Sequence, residues 1–306
     1  MLMRKLVNLL LIGIIGMLLG ACSTNRTLND FKNEKDKDTL QIPIVHDVYN
    51  YNGKPNVDVL SIFNSNGDVR ISKSETNDLK VKTKLVQTKS IKDIDKKLNN
   101  LAIKPKIEKG VIFYEPLYTN NKNRNYWDWV KSSLNANGIQ VNFDVQIPQT
   151  IKEVRIYSEL GNINLQNISA KIHAQTNIGT ITSANINPLD SAVFKANIPS
   201  KGENALDLSL SSIDNVSSIT AGVTSGNIIF NLPSGSEYIY NQMDPKQMPV
   251  TYPYDMYSKE QFEYCKEHSL EIFKPIEIKQ EKTVIKTVIK TVTNKENLHK
   301  VSIRQQ

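Results

Sequence analysis

Cysteine is almost missing from this chain: Cys22 and Cys265 are the two in 306 residues. That scarcity excludes a disulfide scaffold and a cysteine-based zinc cluster. Histidine is nearly as rare. His46, His173, His268 and His299 lie far apart, which leaves little material for a metal centre or an acid–base pair. Aromatic residues make up 7% of the chain, and both tryptophans fall in one short stretch. Long apolar runs are limited to Leu6–Leu19. With a mean hydropathy of -0.37, the chain is not a polytopic membrane protein, and its 39% hydrophobic content is too high for a wholly disordered one. No nucleophile elbow, zinc-protease helix, phosphate loop or dinucleotide fingerprint occurs. Acidic residues alternate with lysine along β-like segments, the pattern of a solvated face. The sequence therefore predicts no catalytic residues, no metal and no cofactor. A carboxylate pair of an envelope glycan hydrolase is the enzymatic alternative.

What the sequence does contain begins at its N-terminus. Arg4 and Lys5 precede the apolar stretch Leu6–Leu19. At about 1.5 Å per residue that stretch falls short of a bilayer core of roughly 30 Å, so it reads as a secretory signal, not a spanning helix. Leu19-Gly20-Ala21-Cys22 resembles the lipobox of bacterial lipoproteins. Cleavage between Ala21 and Cys22 would leave Cys22 as the acylated N-terminus. Each buried CH₂ is worth about 0.8 kcal/mol, so two or three acyl chains anchor stably. The alternative is an ordinary signal peptide with an incidental cysteine. Ser23 follows Cys22, and no aspartate is there to argue for inner-membrane retention. Residues 22–40 are polar and charged, the composition of a tether. These features predict an extracytoplasmic, lipid-anchored protein whose first partner is the membrane.

From Gln41 onward β-branched residues and Asn–Gly turns dominate. Val57–Phe63, Asp68–Ser72 and Leu79–Val86 alternate apolar and polar side chains, the period-two signature of strands. Ser90 is a candidate cap for one short helix, in which Ile91, Ile94, Leu98 and Leu101 recur at helical spacing. Ala102–Glu108 and Val111–Tyr114 read as a hairpin around Lys109-Gly110, and strands resume at Ile139–Ile147. An internal repeat then appears. A shift of about 18 residues superposes Leu160 on Ile178, Gly161 on Gly179, Ile163 on Ile181, Asn167 on Asn185 and Ile168 on Ile186. Further copies end near Val216 and Phe230, and residues 187–205 read as a loop inserted into the series. A unit this short must stack on its neighbours to bury its isoleucines. The predicted fold is mainly β, a right-handed β-helix or solenoid-like stack of short strands with one short helix. An antiparallel β-sandwich is the alternative.

The motifs Asn64–Ile71, Ile91–Leu101, Ile103–Tyr114, Val145–Pro148, Tyr157–Ile163, Thr176–Ile181 and Thr224–Ile228 together resemble the bacterial "putative adhesin" domain family of unknown function. The resemblance covers about residues 55–235. It implies a β-helix-like stack, an envelope location and a binding or adhesive role, and it brings no catalytic residues. The stretch 115–138, the stretch 187–205 and everything past Ser236 depart from the pattern.

These readings divide the chain into a signal peptide (1–21), the lipidated tether (22–40), a β body (41–236) and a C-terminal region (237–306). Two surfaces are candidates for binding. Tyr118, Tyr126, Trp127 and Trp129 lie in the loop 115–138; their rings either stack on sugars or plug the stack and hide its backbone edges. The second surface is the C-terminal region, with a Tyr-rich connector, a candidate helix at 258–273 and a β-branched terminal strand at 283–293, docked on the body or flexible, whose lysines on one side would protect a sheet edge. Lys282, Lys286, Lys290, Lys295 and Lys300 there make a candidate polyanion site. The formal charge of +7 resolves accordingly: Arg4 and Lys5 leave with the signal peptide, residues 279–306 carry seven basic against two acidic residues, and the part between is balanced. Such a distribution argues against nucleic acid. Cell-wall glycan, an anionic wall polymer or another envelope protein are the expected partners, and an accessory role in envelope-stress sensing is the alternative function. Cys265 reads as an unpaired, half-buried thiol.

Overall fold

The repeat seen in the sequence is also the register of the fold. In the computed structural model, which describes residues 39–119, 138–198, 204–243, 287–293 and 301–305, the strands are β1 (Thr39–Gly53), β2 (Val59–Asn64), β3 (Val69–Lys73) and β4 (Leu79–Lys89). A short helix α1 (Ile94–Leu98) leads to β5 (Leu101–Ala102), β6 (Lys106–Glu108), β7 (Val111–Tyr114), β8 (Leu117–Tyr118) and β9 (Ile139–Ile147). The repeat supplies β10 (Glu153–Leu160), β11 (Ile163–Gln166), β12 (Ser169–Ile178), β13 (Ile181–Ile198), β14 (Asn204–Leu210), β15 (Val216–Val223) and β16 (Asn227–Leu232). The series closes with β17 (Tyr238–Met243), β18 (Thr287–Thr293) and β19 (Val301–Gln305). The described residues from 40 onward belong to one compact unit.

Two ladders result. One runs β9–β3–β11–β13–β14–β16–β19, every neighbouring pair parallel. The other runs β7–β2–β10–β12–β13–β15–β18–β17, again parallel throughout. β13 belongs to both, so they merge into one large curled sheet with the outline of a half-barrel. Antiparallel pairing is seen at β4–β9, β6–β7 and β5–β8. An antiparallel sandwich is therefore the wrong alternative: a repeat that returns to the same face in the same direction pairs in parallel.

Parallel pairing sets like on like. Val154 lies beside Ile172 and Ile163 beside Ile181. Inward columns such as Leu60, Val154, Ile172, Ala192, Ile219 and Ile289 run through the second ladder and are fully buried. Volume is balanced along the next column, where Phe194 sits between Ala174 and Ala221. Close packing requires such compensation when strands are fixed at one spacing. Polar partners also recur. Asn164 donates to Thr182 at 2.8 Å, Asn185 to Asn167 at 2.9 Å and Asn197 to Asn177 at 2.8 Å, forming amide ladders along the stack.

Three expectations need correction. Residues 187–198 are not an inserted loop but the second half of β13. Ser169 pairs with Asn187, yet Ile172 pairs with Ala192, because a two-residue bulge around Asp190 (φ 60°) interrupts the period. The helix is shorter than expected and starts after Asp93 (φ 56°), not at Ser90. The C-terminal strand is not a lysine-protected edge. β18 lies between β15 and β17, with Ile289 and Thr291 continuing the buried columns of Ile219 and Ala221. The hairpin at Lys109-Gly110 forms as expected, both residues having positive φ (49° and 78°), the requirement of a tight two-residue turn.

Candidate functional site

Two regions of the curled sheet gather polar side chains. The first is the outer side of the second ladder. The repeat places Arg155 beside His173 and Glu153 beside Lys171. Glu153 Oε1 accepts from Arg155 Nε at 2.7 Å and stands 3.6 Å from His173 Nε2. Lys171 reaches Asp190 at 3.2 Å. Burial lowers the His173 pKa to about 4, outweighing the attraction of Glu153, while Lys171 and Arg155 push it the same way as burial. The imidazole is thus neutral at physiological pH. One rung along, Phe63 and Tyr157 stack at 4.9 Å. The Tyr157 hydroxyl donates to Glu159 at 2.6 Å, and Asn177 donates to both. Each carboxylate here is committed to a cation or a donor, the arrangement of a fixed polar surface and not of a free acid–base pair.

The second region is the bend where strands of the first ladder hand over to the second. Asn167 (φ 54°) makes the bend between β11 and β12, and Asn185 (φ 57°) makes it one rung later inside β13. Asparagine tolerates this left-handed backbone, which is why it recurs at this corner. The ends of β9, β3, β11, the bend of β13 and the end of β14 line an open groove of about 440 Å³ there. Its residues are Ile147–Gln149, Ser72, Lys73 and Glu75, Asn167–Ser169, Asn185, Asn187 and Ser211. Backbone bonds hold successive turns: Asn167 donates to Ala184, Asn187 to Ile168 and Ser211 to Ile186. A smaller groove of about 240 Å³ on the first ladder is lined by charges of both signs, among them Asp68, Arg70, Lys82 and Asp144.

Of the sequence-predicted site residues, Tyr118 and Lys290 are among those the structure describes. Tyr118 lies half-buried in β8, paired with Leu101, not on an exposed platform. Lys290 is half-buried in β18 between Thr220 and Asn241. Ala21, Cys22, Tyr126, Trp127, Trp129, Lys282, Lys286, Lys295, Lys300 and Cys265 lie outside the described residues, as does the candidate helix at 258–273. His46 stands 3.4 Å from Gln87, remote in sequence from His173. Sequence reasoning passed over the corner groove and the Glu153–Arg155–His173 cluster. The signal for both was the repeat itself, which places Arg155 next to His173 and Asn167 next to Asn185 once the strands are read as parallel. Among the described residues no group of three His, Cys, Asp or Glu side chains is placed to hold a metal ion, and no helix is long and apolar enough to cross a membrane.

No protein-family model matches the chain, and no curated protein does. Solved structures similar to it include a "putative cell adhesion protein" from Clostridium sporogenes ATCC 15579, at 12% identity and a TM-score of 0.32, covering 87% of this chain and 100% of that one. Another is a "putative adhesin" from Bacteroides fragilis NCTC 9343, at 10% identity and a TM-score of 0.32, covering 88% of this chain and 99% of that one. A third is a "putative lipid binding protein" from Parabacteroides distasonis ATCC 8503, at 9% identity and a TM-score of 0.26, covering 68% of this chain and 88% of that one.

Proposed function

We propose that this chain is a lipid-anchored, non-enzymatic binding module of the bacterial cell envelope, built as a right-handed solenoid. The observation that carries the reading is the repetition of polar groups along the ladders. Asn167–Asn185 and Asn177–Asn197 each present an amide one rung apart, and Asn164–Thr182 an amide beside a hydroxyl. A surface that repeats every rung, at about 4.8 Å, is suited to an extended partner that also repeats. The parallel register supports the solenoid, and the general preference of parallel crossovers supports its hand. The lipobox Leu19–Cys22 supports the anchor, with residues 22–40 as the lipidated tether leading to the β body.

Two measurements test this reading on the full-length chain. Cys22→Ala is expected to move the protein from the membrane fraction to the soluble extracytoplasmic fraction; unchanged membrane association counts against the anchor. Purified protein is expected to co-sediment with isolated cell-wall material. Failure to sediment with any wall fraction removes the binding role.

A further inference from the structure

We propose that the corner groove is a binding site for an uncharged, linear glycan chain; this rests on the binding-module reading and names its ligand class. The argument begins with shape. The groove crosses the ends of five consecutive strands of one ladder, β9, β3, β11, β13 and β14. Five strands span four steps of about 4.8 Å, or roughly 19 Å. A volume of about 440 Å³ spread over that length makes a narrow trough. An extended chain fits it, whereas a compact cofactor would leave most of it empty.

The lining chemistry selects among extended chains. Asn167, Ser169, Asn185, Asn187 and Ser211 are neutral, and each offers hydroxyl or amide groups. Asn185 Nδ2 donates to Asn167 Oδ1, which leaves Asn167 Nδ2 and Asn185 Oδ1 without a partner among the described residues on an exposed corner. Asn187 Nδ2 donates to Ser169 Oγ at 3.1 Å, while Asn187 Oδ1 is shielded from solvent and accepts nothing. Asn167 Nδ2 and Asn185 Oδ1 thus offer one donor and one acceptor side by side, a pairing that a sugar hydroxyl, itself donor and acceptor, can satisfy. Ile147 and Ile168 are buried in its floor and give the apolar face of a sugar ring something to lie on. The formal charges, Lys73 and Glu75, are of opposite sign and cancel. A polyanion would find no field to hold it. The corner is also rigid: Asn167, Asn187 and Ser211 each donate a backbone N–H to the neighbouring rung and Asn185 is tied to Asn167 through its amide, so little ordering entropy is lost on binding.

The test uses the full-length protein and named probes. Calorimetry compares neutral cello-oligosaccharides and N-acetylglucosamine oligosaccharides from dimer to hexamer with the anionic polymer poly(glycerol phosphate). Affinity is expected to rise with length up to about the span of the trough and to be indifferent to salt. Asn167→Gly with Asn185→Gly keeps the left-handed backbone and removes both amides, and it is expected to weaken binding roughly tenfold or more. Gln149→Ala, on an exposed side chain at the trough's end, is expected to weaken the longer oligosaccharides more than the dimer and serves if the double variant does not fold. Binding that these substitutions leave unchanged, a salt-sensitive preference for poly(glycerol phosphate), or no binding of any neutral oligosaccharide overturns the proposal. If the protein still sediments with cell walls in those cases, the broader binding role stands and only the groove assignment fails.

Discussion

Replacing Gly161 by alanine is expected to lower the unfolding free energy by about 3–5 kcal/mol, the sum of a strained backbone and an overpacked contact. Gly161 has φ 155°, and a Cβ built on it would overlap the carbonyl of Gly67 on the adjoining rung. The obstacle is backbone, so no side chain can rotate away. Nor can the rungs part, because Gly67 N donates to Leu160 O at 2.7 Å and Gly161 N to Ile178 O at 2.9 Å. The next glycine of the column, Gly179, meets Gly161 in the same way. Gly110 supplies the control. It also has positive φ, 78°, but a Cβ there meets nothing within 4 Å, so Gly110→Ala carries only the left-handed penalty of about 1–2 kcal/mol. Urea titration of the two variants separates steric from conformational cost. Equal destabilisation by both would show that the rungs can slide apart and that the glycine column is not a close contact.

The second large effect concerns pH. Folding lowers the His173 pKa from 6.5 to about 4, with burial as the main cause. The unfolded chain therefore takes up the proton first as pH falls. The stabilisation associated with a neutral His173 is fully present above about pH 6.5 and is lost progressively down to about pH 4, where the folded state protonates too. Over that interval it amounts to about 3 kcal/mol. The side chain is 12% exposed, so solvent screening is modest. Carboxylates titrate in part of the same range, and comparison with His173→Gln isolates the histidine. Wild type minus variant stability, measured by urea titration at several pH values, is expected to fall between pH 6.5 and 4 and to be flat above 6.5. A difference that instead grows as pH falls would mean that Glu153, 3.6 Å from the ring, outweighs burial and that Lys171 and Arg155 count for little.

Much of the fold was legible because strands announce themselves locally. Alternation at Leu79–Val86 becomes β4, the Lys109-Gly110 turn closes β6 onto β7, and the shift that lays Gly161 on Gly179 is the register of β10 on β12. The reading fails where the period is broken. Around Asp190 two extra residues shift the pattern, so that Ala192, Phe194 and Ala196 lie beside Ile172, Ala174 and Thr176 at an offset of 20 residues and not 18. Residues 187–198 then look like a loop although they form a bulged strand paired within the sheet. Ser90 looked like a cap because its residue type suits one, but the helix begins at Asp93, whose left-handed backbone makes the entry without a side-chain hydrogen bond.

The candidate sites were less legible, since a site joins residues from different rungs. Lysines spaced along the C-terminal segment suggested a basic face, yet the one that is described, Lys290, lies within a strand flanked on both sides. The scarcity of cysteine and histidine, the alternation and the repeat were decided by sequence alone, because side-chain chemistry and local period need no partner to be read. Which strands meet was decided only in three dimensions. Leu79–Lys89 and Thr287–Thr293 both alternate β-branched residues with lysine or threonine, but the first turns back antiparallel on β9 and the second enters the stack in parallel between β15 and β17. Strand pairing is settled by which edge stands open and which buried column it can extend, and neither is a property of the segment itself. The corner groove has the same origin: Asn167 and Asn185 are just turn residues in the sequence, and only stacking the rungs makes them one wall.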